Sequence, residues 1–142
     1  MKQIKTTRTI TVPCFNMNAA LDEINVNHID YFSLDVEGAG LFVLKSMKIE
    51  LSSGKMTVDV WSIEFRVYDG TRIIEQNSLE NLEKLRTFFK EIGGYTEHSQ
   101  VDNSKHNENN VALEVIFVNV KTWCKTQKKL PNSTECSGVM HI

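Results

Sequence analysis

The sequence predicts a layered α/β domain whose sheet closes in an antiparallel hairpin, and three observations carry this. Two short apolar runs, Ile29 to Val36 and Val58 to Val67, are separated by a stretch of helical spacing. A long amphipathic stripe follows the second run. Two further strand-like runs, Tyr95 to Val101 and Val111 to Val120, then appear with no helix between them. Alternating strands and helices favour a layered sheet, and consecutive strands joined by a loop favour an antiparallel pair.

Taken in order, Thr9 to Pro13 is a short β-branched run stopped by a proline, which cannot donate to a sheet ladder. Asn16 or Asn18 can cap a helix carrying Leu21 and Ile24. Ile29 to Val36 fits a strand covered on both faces, as in a parallel sheet. Gly38 to Met47 reads as a helix, with Leu41, Leu44 and Met47 at three-residue spacing. Ser52-Ser53-Gly54 marks a turn before the second strand, and Asp69-Gly70 marks another after it. The clearest helix spans about Ser78 to Ile92. Leu79, Leu82, Leu85, Phe88, Phe89 and Ile92 form its stripe, Asn77 with Glu80 resembles a capping box, Glu80 and Lys84 pair at i,i+4, and Gly93-Gly94 stops it. From Lys121 onward no periodicity is visible, so the chain divides into a domain over 1–120 and a polar tail over 121–142.

Composition excludes several classes. A chain of 142 residues with 41% hydrophobic and 24% charged residues fits one ordinary globular domain. A net charge of -2 gives no electrostatic reason for a nucleic-acid partner. No apolar run approaches the roughly 20 residues that span a bilayer. Met1 to Thr9 lacks the apolar segment of a signal peptide. Taken literally the chain is cytosolic, whereas a longer parent with an N-terminal anchor would place it in the secretory lumen. Cys14, in an apolar stretch, reads as a small buried residue. Cys124 and Cys136 flank an Asn132-Ser133-Thr134 sequon. Two free thiols and a chance sequon are the simpler reading; a disulfide there would imply an oxidising compartment.

The chemistry concentrates at Asp35-Val36-Glu37-Gly38, where two carboxylates and a glycine fall between a strand and a helix. Open α/β sheets bind ligands beyond the carboxyl ends of their strands. A carboxylate there can orient a hydroxyl or accept its proton, and glycine lets the backbone pass close to a ligand. Acidic residues followed by glycine also describe an ordinary solvated turn.

The longer string is more specific. Val12-Pro13-Cys14, the Leu21-Asp22 helix, the run Ile29 to Ala39, then Leu41, Val43-Leu44-Lys45 and Ser62-Ile63-Glu64-Phe65 resemble the FkbM methyltransferase family, with the animal Star-like branch looking nearest. The resemblance covers about Val12 to Val120. It implies a Rossmann-like class I methyltransferase sheet and transfer of a methyl group from S-adenosylmethionine to an oxygen of a small-molecule or sugar hydroxyl acceptor. By the same resemblance Asp35 and Glu37 are the catalytic acids. Asp35 and Gly38 also border the methyl donor, and Glu64 faces the acceptor.

Two departures from the family pattern stand out. Gly40 replaces the family's third acidic residue. No glycine-rich strand–turn–helix precedes Thr9, so the donor-binding segment is missing and the fold reads as truncated. Gly93-Gly94 follows a helix and cannot substitute. The expected remnant has four strands. Ile29 to Val36 forms one edge, Val111 to Val120 lies antiparallel beside Val58 to Val67, and Tyr95 to Val101 is outermost. An apolar edge strand invites a protein partner that completes the sheet. The chain alone is expected to bind no S-adenosylmethionine with useful affinity. One charge-assisted hydrogen bond from Asp35 contributes about 1.5–3 kcal/mol, against roughly 8.2 kcal/mol for micromolar binding.

The remaining candidates are weaker. His28, His98, His106 and His141 have no ligand-like spacing, so no metal is expected. Lys125 to Lys129 reads as a solvated basic run. Trp61 reads as core, and Trp123 as cover for the sheet edge or a half-exposed ring. Two functions compete: an O-methyltransferase domain, and a non-catalytic relative that acts in trafficking by binding another protein. Donor titration separates them.

Overall fold

The computed structural model describes residues 10–102 and 113–127. Its centre is a four-stranded mixed sheet in the order β1-β2-β4-β3, made of β1 (His28–Leu34), β2 (Thr57–Glu64), β3 (Tyr95–Asp102) and β4 (Leu113–Asn119). β1 and β2 are parallel, with Ile29 beside Val58 and Phe32 beside Trp61. β4 runs antiparallel to both its neighbours, with Phe117 beside Trp61 and Val118 beside Thr96. This is the strand order the sequence led us to expect. Among the described residues five helices accompany it: α1 (Met17–Glu23), α2 (Gly40–Ser46), α3 (Lys48–Ser53), α4 (Glu75–Ile92) and α5 (Val120–Gln127).

Local chemistry explains the elements. Asn16 caps α1, its side-chain oxygen accepting from the Ala19 amide at 2.7 Å. α3 stops at Gly54, whose φ of +72° satisfies the left-handed turn that L-residues resist. β2, one of two interior strands, buries Val58, Trp61, Ser62, Ile63 and Glu64. Trp61, fully buried, stacks on Phe32 at 4.8 Å and meets the edge of Phe89 at 6.0 Å, while Phe89 stacks on Phe117 at 4.1 Å. Leu82, Leu85, Phe88 and Phe89 press α4 onto the sheet, and Arg86 grips Glu97 of β3 through two hydrogen bonds of 2.7 and 2.8 Å.

Several expectations change. α4 starts at Glu75, so Asn77 and Glu80 lie inside it and form no capping box; the cap residue Ile74 contributes no side-chain bond. Leu79 is half exposed because at 3.6 residues per turn it sits about 120° around from Leu85. Ser78 takes the buried place instead, accepting from the Val67 amide and donating to the Ile74 carbonyl, both at 2.9 Å. Ile24 ends α1 exposed. β2 stops at Glu64, three residues earlier than its apolar run suggests. β1 is not covered on both faces: it is the sheet edge, with Tyr31 exposed and Phe32 only half-buried. Cys14 is exposed, in a segment that also exposes Ile10, Val12 and Phe15.

The segment after Asn119 is helical rather than irregular. Thr122 of α5 donates to Asp59 of β2 at 2.8 Å, and Trp123 lies half-buried with its ring 4.9 Å from that of His98 on β3. Cys124 is disulfide-bonded, against the simpler reading of free thiols. Cys136, the sequon, His106, His141 and the end of the basic run lie outside the described residues. Among the described residues no helix is long and apolar enough to cross a membrane.

Candidate functional site

β1 and β2 end side by side, Leu34 next to Ile63, so the residues that follow each strand emerge together. After β1 the chain makes a tight turn closed by the Ala39 amide on the Val36 carbonyl at 3.0 Å. Glu37 and Gly38 hold its centre with φ of +49° and +87°, the signs of a type I′ turn. Gly38 accommodates this freely, and nothing lies within 4 Å of where a Cβ would stand. Glu37 pays for it, since a left-handed L-residue costs about 1–2 kcal/mol. Strain of this kind gathers at functional sites.

The turn brings carboxylate oxygens of Asp35, Glu37 and Glu64 within 4.8 Å of one another. Asp35 and Glu37 are exposed, whereas the Glu64 side chain is only 5% exposed. Glu64 Oε1 receives Arg66 at 2.8 Å, and the same guanidinium nitrogen stands 3.7 Å from Glu37. Glu64 Oε2 meets no donor while both carboxyls are ionised. The Glu64 carboxyl is hydrogen-bonded to that of Asp35, which requires a proton on one of the pair. Burial first, and then this hydrogen bond, push the Glu64 carboxyl from 4.5 up to about 7, with Arg66 opposing the rise. A buried acid that titrates near neutrality can take up or release a proton at working pH.

The three acids singled out from the sequence are thus brought together, and Gly38 shapes their turn. Gly40 is buried at the start of α2, and a Cβ there would stand 3.5 Å from Ile63 and 3.6 Å from Leu34. The position lost from the family pattern therefore faces the sheet rather than solvent. Arg66 was not foreseen. Its only sequence signal is its place two residues past Glu64, which would put both on one face had β2 continued.

The described residues suit a cationic sulfonium in charge, but not a whole methyl donor. The one strand–turn–helix with two glycines among them, β1 to α2 through Gly38 and Gly40, carries the acids Asp35 and Glu37 themselves, and no second one stands beside it to cradle the rest of the donor. The surface grooves beside Lys45 and Phe88 and beside Gly54 and Tyr95 include none of the three acids. No curated protein and no solved structure matches the chain significantly. The sequence profile of the methyltransferase FkbM domain, however, matches residues 1–113, and the chain belongs to that family.

Proposed function

We propose that Asp35, Glu37 and Glu64 form the acceptor side of an S-adenosylmethionine-dependent O-methyltransferase site, acting on a small-molecule or sugar hydroxyl. The observation that carries this reading is the convergence of the three acids at the ends of parallel strands, with a buried member titrating near 7. Methyl transfer to oxygen needs the nucleophile held in line and its proton removed. In this reading Asp35, the exposed member, accepts the hydroxyl's hydrogen bond and fixes its direction. Glu64 faces the acceptor; with both carboxyls ionised, a form Arg66 favours, the Glu64–Asp35 pair takes the released proton and becomes the hydrogen-bonded acid pair. Glu37 sets the turn and adds negative potential. Asp35 and Gly38 border the donor, which supplies the methyl group when bound. The rest of the donor's contacts must come from outside the described residues or from a partner that completes the sheet at β1.

The test pairs calorimetric titration of S-adenosylmethionine with assay of S-adenosylhomocysteine release over a panel of hydroxylated acceptors. In an assembly whose donor site is complete, turnover that falls by about 10²–10⁴ in Asp35→Asn and in Glu64→Gln supports the assignment. Turnover preserved in both variants removes these acids from the chemistry. For the chain by itself, no measurable donor heat is expected. Low-micromolar binding abolished by Asp35→Asn would show that these residues hold the donor without help.

A further inference from the structure

We infer that His28, Asp30 and Asp59 form a binding site for a divalent transition-metal ion, with zinc as the natural probe. It lies at the opposite end of β1 and β2 from the acid cluster, about 20 Å away at 3.3 Å per residue, and is independent of the function proposed above.

The site follows from strand register. His28 and Asp30 are two apart on β1 and share a face. Ile29 pairs with Val58 and Tyr31 with Val60, so Asp30 runs alongside Asp59 of β2. Like charges side by side on adjacent strands repel. His28 Nε2 faces this pair, 3.5 Å from Asp30 and 3.5 Å from Asp59, and one ligand atom from each residue lies within 4.8 Å of the others.

The distances discriminate between two readings. An imidazolium paired with carboxylates closes to about 2.7–2.9 Å, and neither contact does. Zinc bonds to imidazole nitrogen and carboxylate oxygen are about 2.0–2.2 Å, which sets neighbouring ligands of a tetrahedron about 3.3–3.5 Å apart. The two histidine–carboxylate separations match that spacing, and with all three ligand atoms within 4.8 Å of one another an ion can sit between them.

Outer contacts also fit. His28 Nδ1 lies 2.8 Å from the Thr57 hydroxyl, and an N–H donated there leaves the Nε2 lone pair facing the carboxylates. Asp59, 17% exposed, accepts from the Thr122 hydroxyl at 2.8 Å. Ligands are commonly oriented by such second hydrogen bonds. With Asp30 almost fully exposed, remaining coordination positions open to water.

The experiment titrates zinc into the chelator-stripped chain by calorimetry and follows cobalt uptake by visible absorption, with circular dichroism to verify folding. One ion per chain is expected. His28→Ala and Asp59→Asn should weaken binding at least about tenfold, and Thr57→Val, which leaves all three ligands in place, about 10–100-fold. His98→Ala should change nothing. Absence of saturable uptake, affinity unchanged in His28→Ala, or an equal loss in His98→Ala would overturn the assignment.

Discussion

Replacing Glu64 with Gln isolates the buried proton of the acid cluster. The Glu64 carboxyl is raised from 4.5 to about 7, chiefly by burial and by its bond to Asp35. The folded state therefore holds this proton more tightly than the unfolded chain. Where the folded state binds more protons, stability falls as pH rises. The contribution is fully present below 4.5 and lost progressively up to about 7. At about 1.36 kcal/mol per pH unit, the loss is roughly 3 kcal/mol. Gln resembles the neutral acid and does not titrate, but it weakens the contact with Arg66. Glu64→Gln should therefore match the parent within about 1 kcal/mol at pH 5 and exceed it by about 1–3 kcal/mol at pH 8. Urea denaturation of both proteins at both pH values measures this. Asp69, Glu91 and Glu97 are held below their ordinary values by hydrogen bonds to Thr71, Lys48 and Arg86 respectively. Their stabilisation is lost only as pH falls through those values, below the window. A stability difference that stays constant within about 0.5 kcal/mol from pH 5 to pH 8 would refute the buried proton.

Three further substitutions test the frame around it. Phe89→Ala removes the ring that meets Trp61, Tyr95 and Phe117 and should cost about 3–5 kcal/mol on chemical denaturation; a loss under about 1 kcal/mol would mean α4 packs elsewhere. Glu37→Gly relieves a left-handed L-residue, so stability should hold within about 1 kcal/mol while turnover drops. A larger loss of stability would show that the contact with Arg66 holds the turn. Gly40→Ala places a methyl at ordinary contact distance from Ile63 and Leu34 and should add about 0.4–1 kcal/mol. Destabilisation in a thermal melt would show that the buried start of α2 has no room.

Much of this was legible because it rests on local rules or on the family pattern. Asn16 carries its own capping oxygen, the Leu82 to Phe89 stripe repeats at helical spacing, and the family order of strands placed β4 between β2 and β3. The convergence of Asp35, Glu37 and Glu64 required only that the two strands be parallel neighbours. What escaped depends on direction and register. Ser78 rather than Leu79 is buried because α4 begins at Glu75, and no apolar count reveals which face Ile74 presents. Arg66 becomes part of the site only because the chain leaves β2 at Glu64. Asp59 joins His28 through strand register, which spacing within one segment does not report. α5 was missed because its polar residues conceal a short helix held by Thr122 and Trp123 against strands distant in sequence.

The position of β4 has a consequence for how the chain is made. The last of the described strands in sequence is also the one that holds β2 and β3 together. Until residues 113–119 leave the ribosome, β2 has only β1 beside it, and the apolar side chains of α4 lack half their platform. At about 5–20 residues per second, the interval from the end of β2 to the arrival of β4 lasts several seconds. During that time β2, whose Val58, Trp61 and Ile63 are destined for the core, offers a free edge to any neighbouring nascent chain. Ribosome profiling and chaperone crosslinking should therefore find this chain engaged between those two points, with release once β4 has emerged.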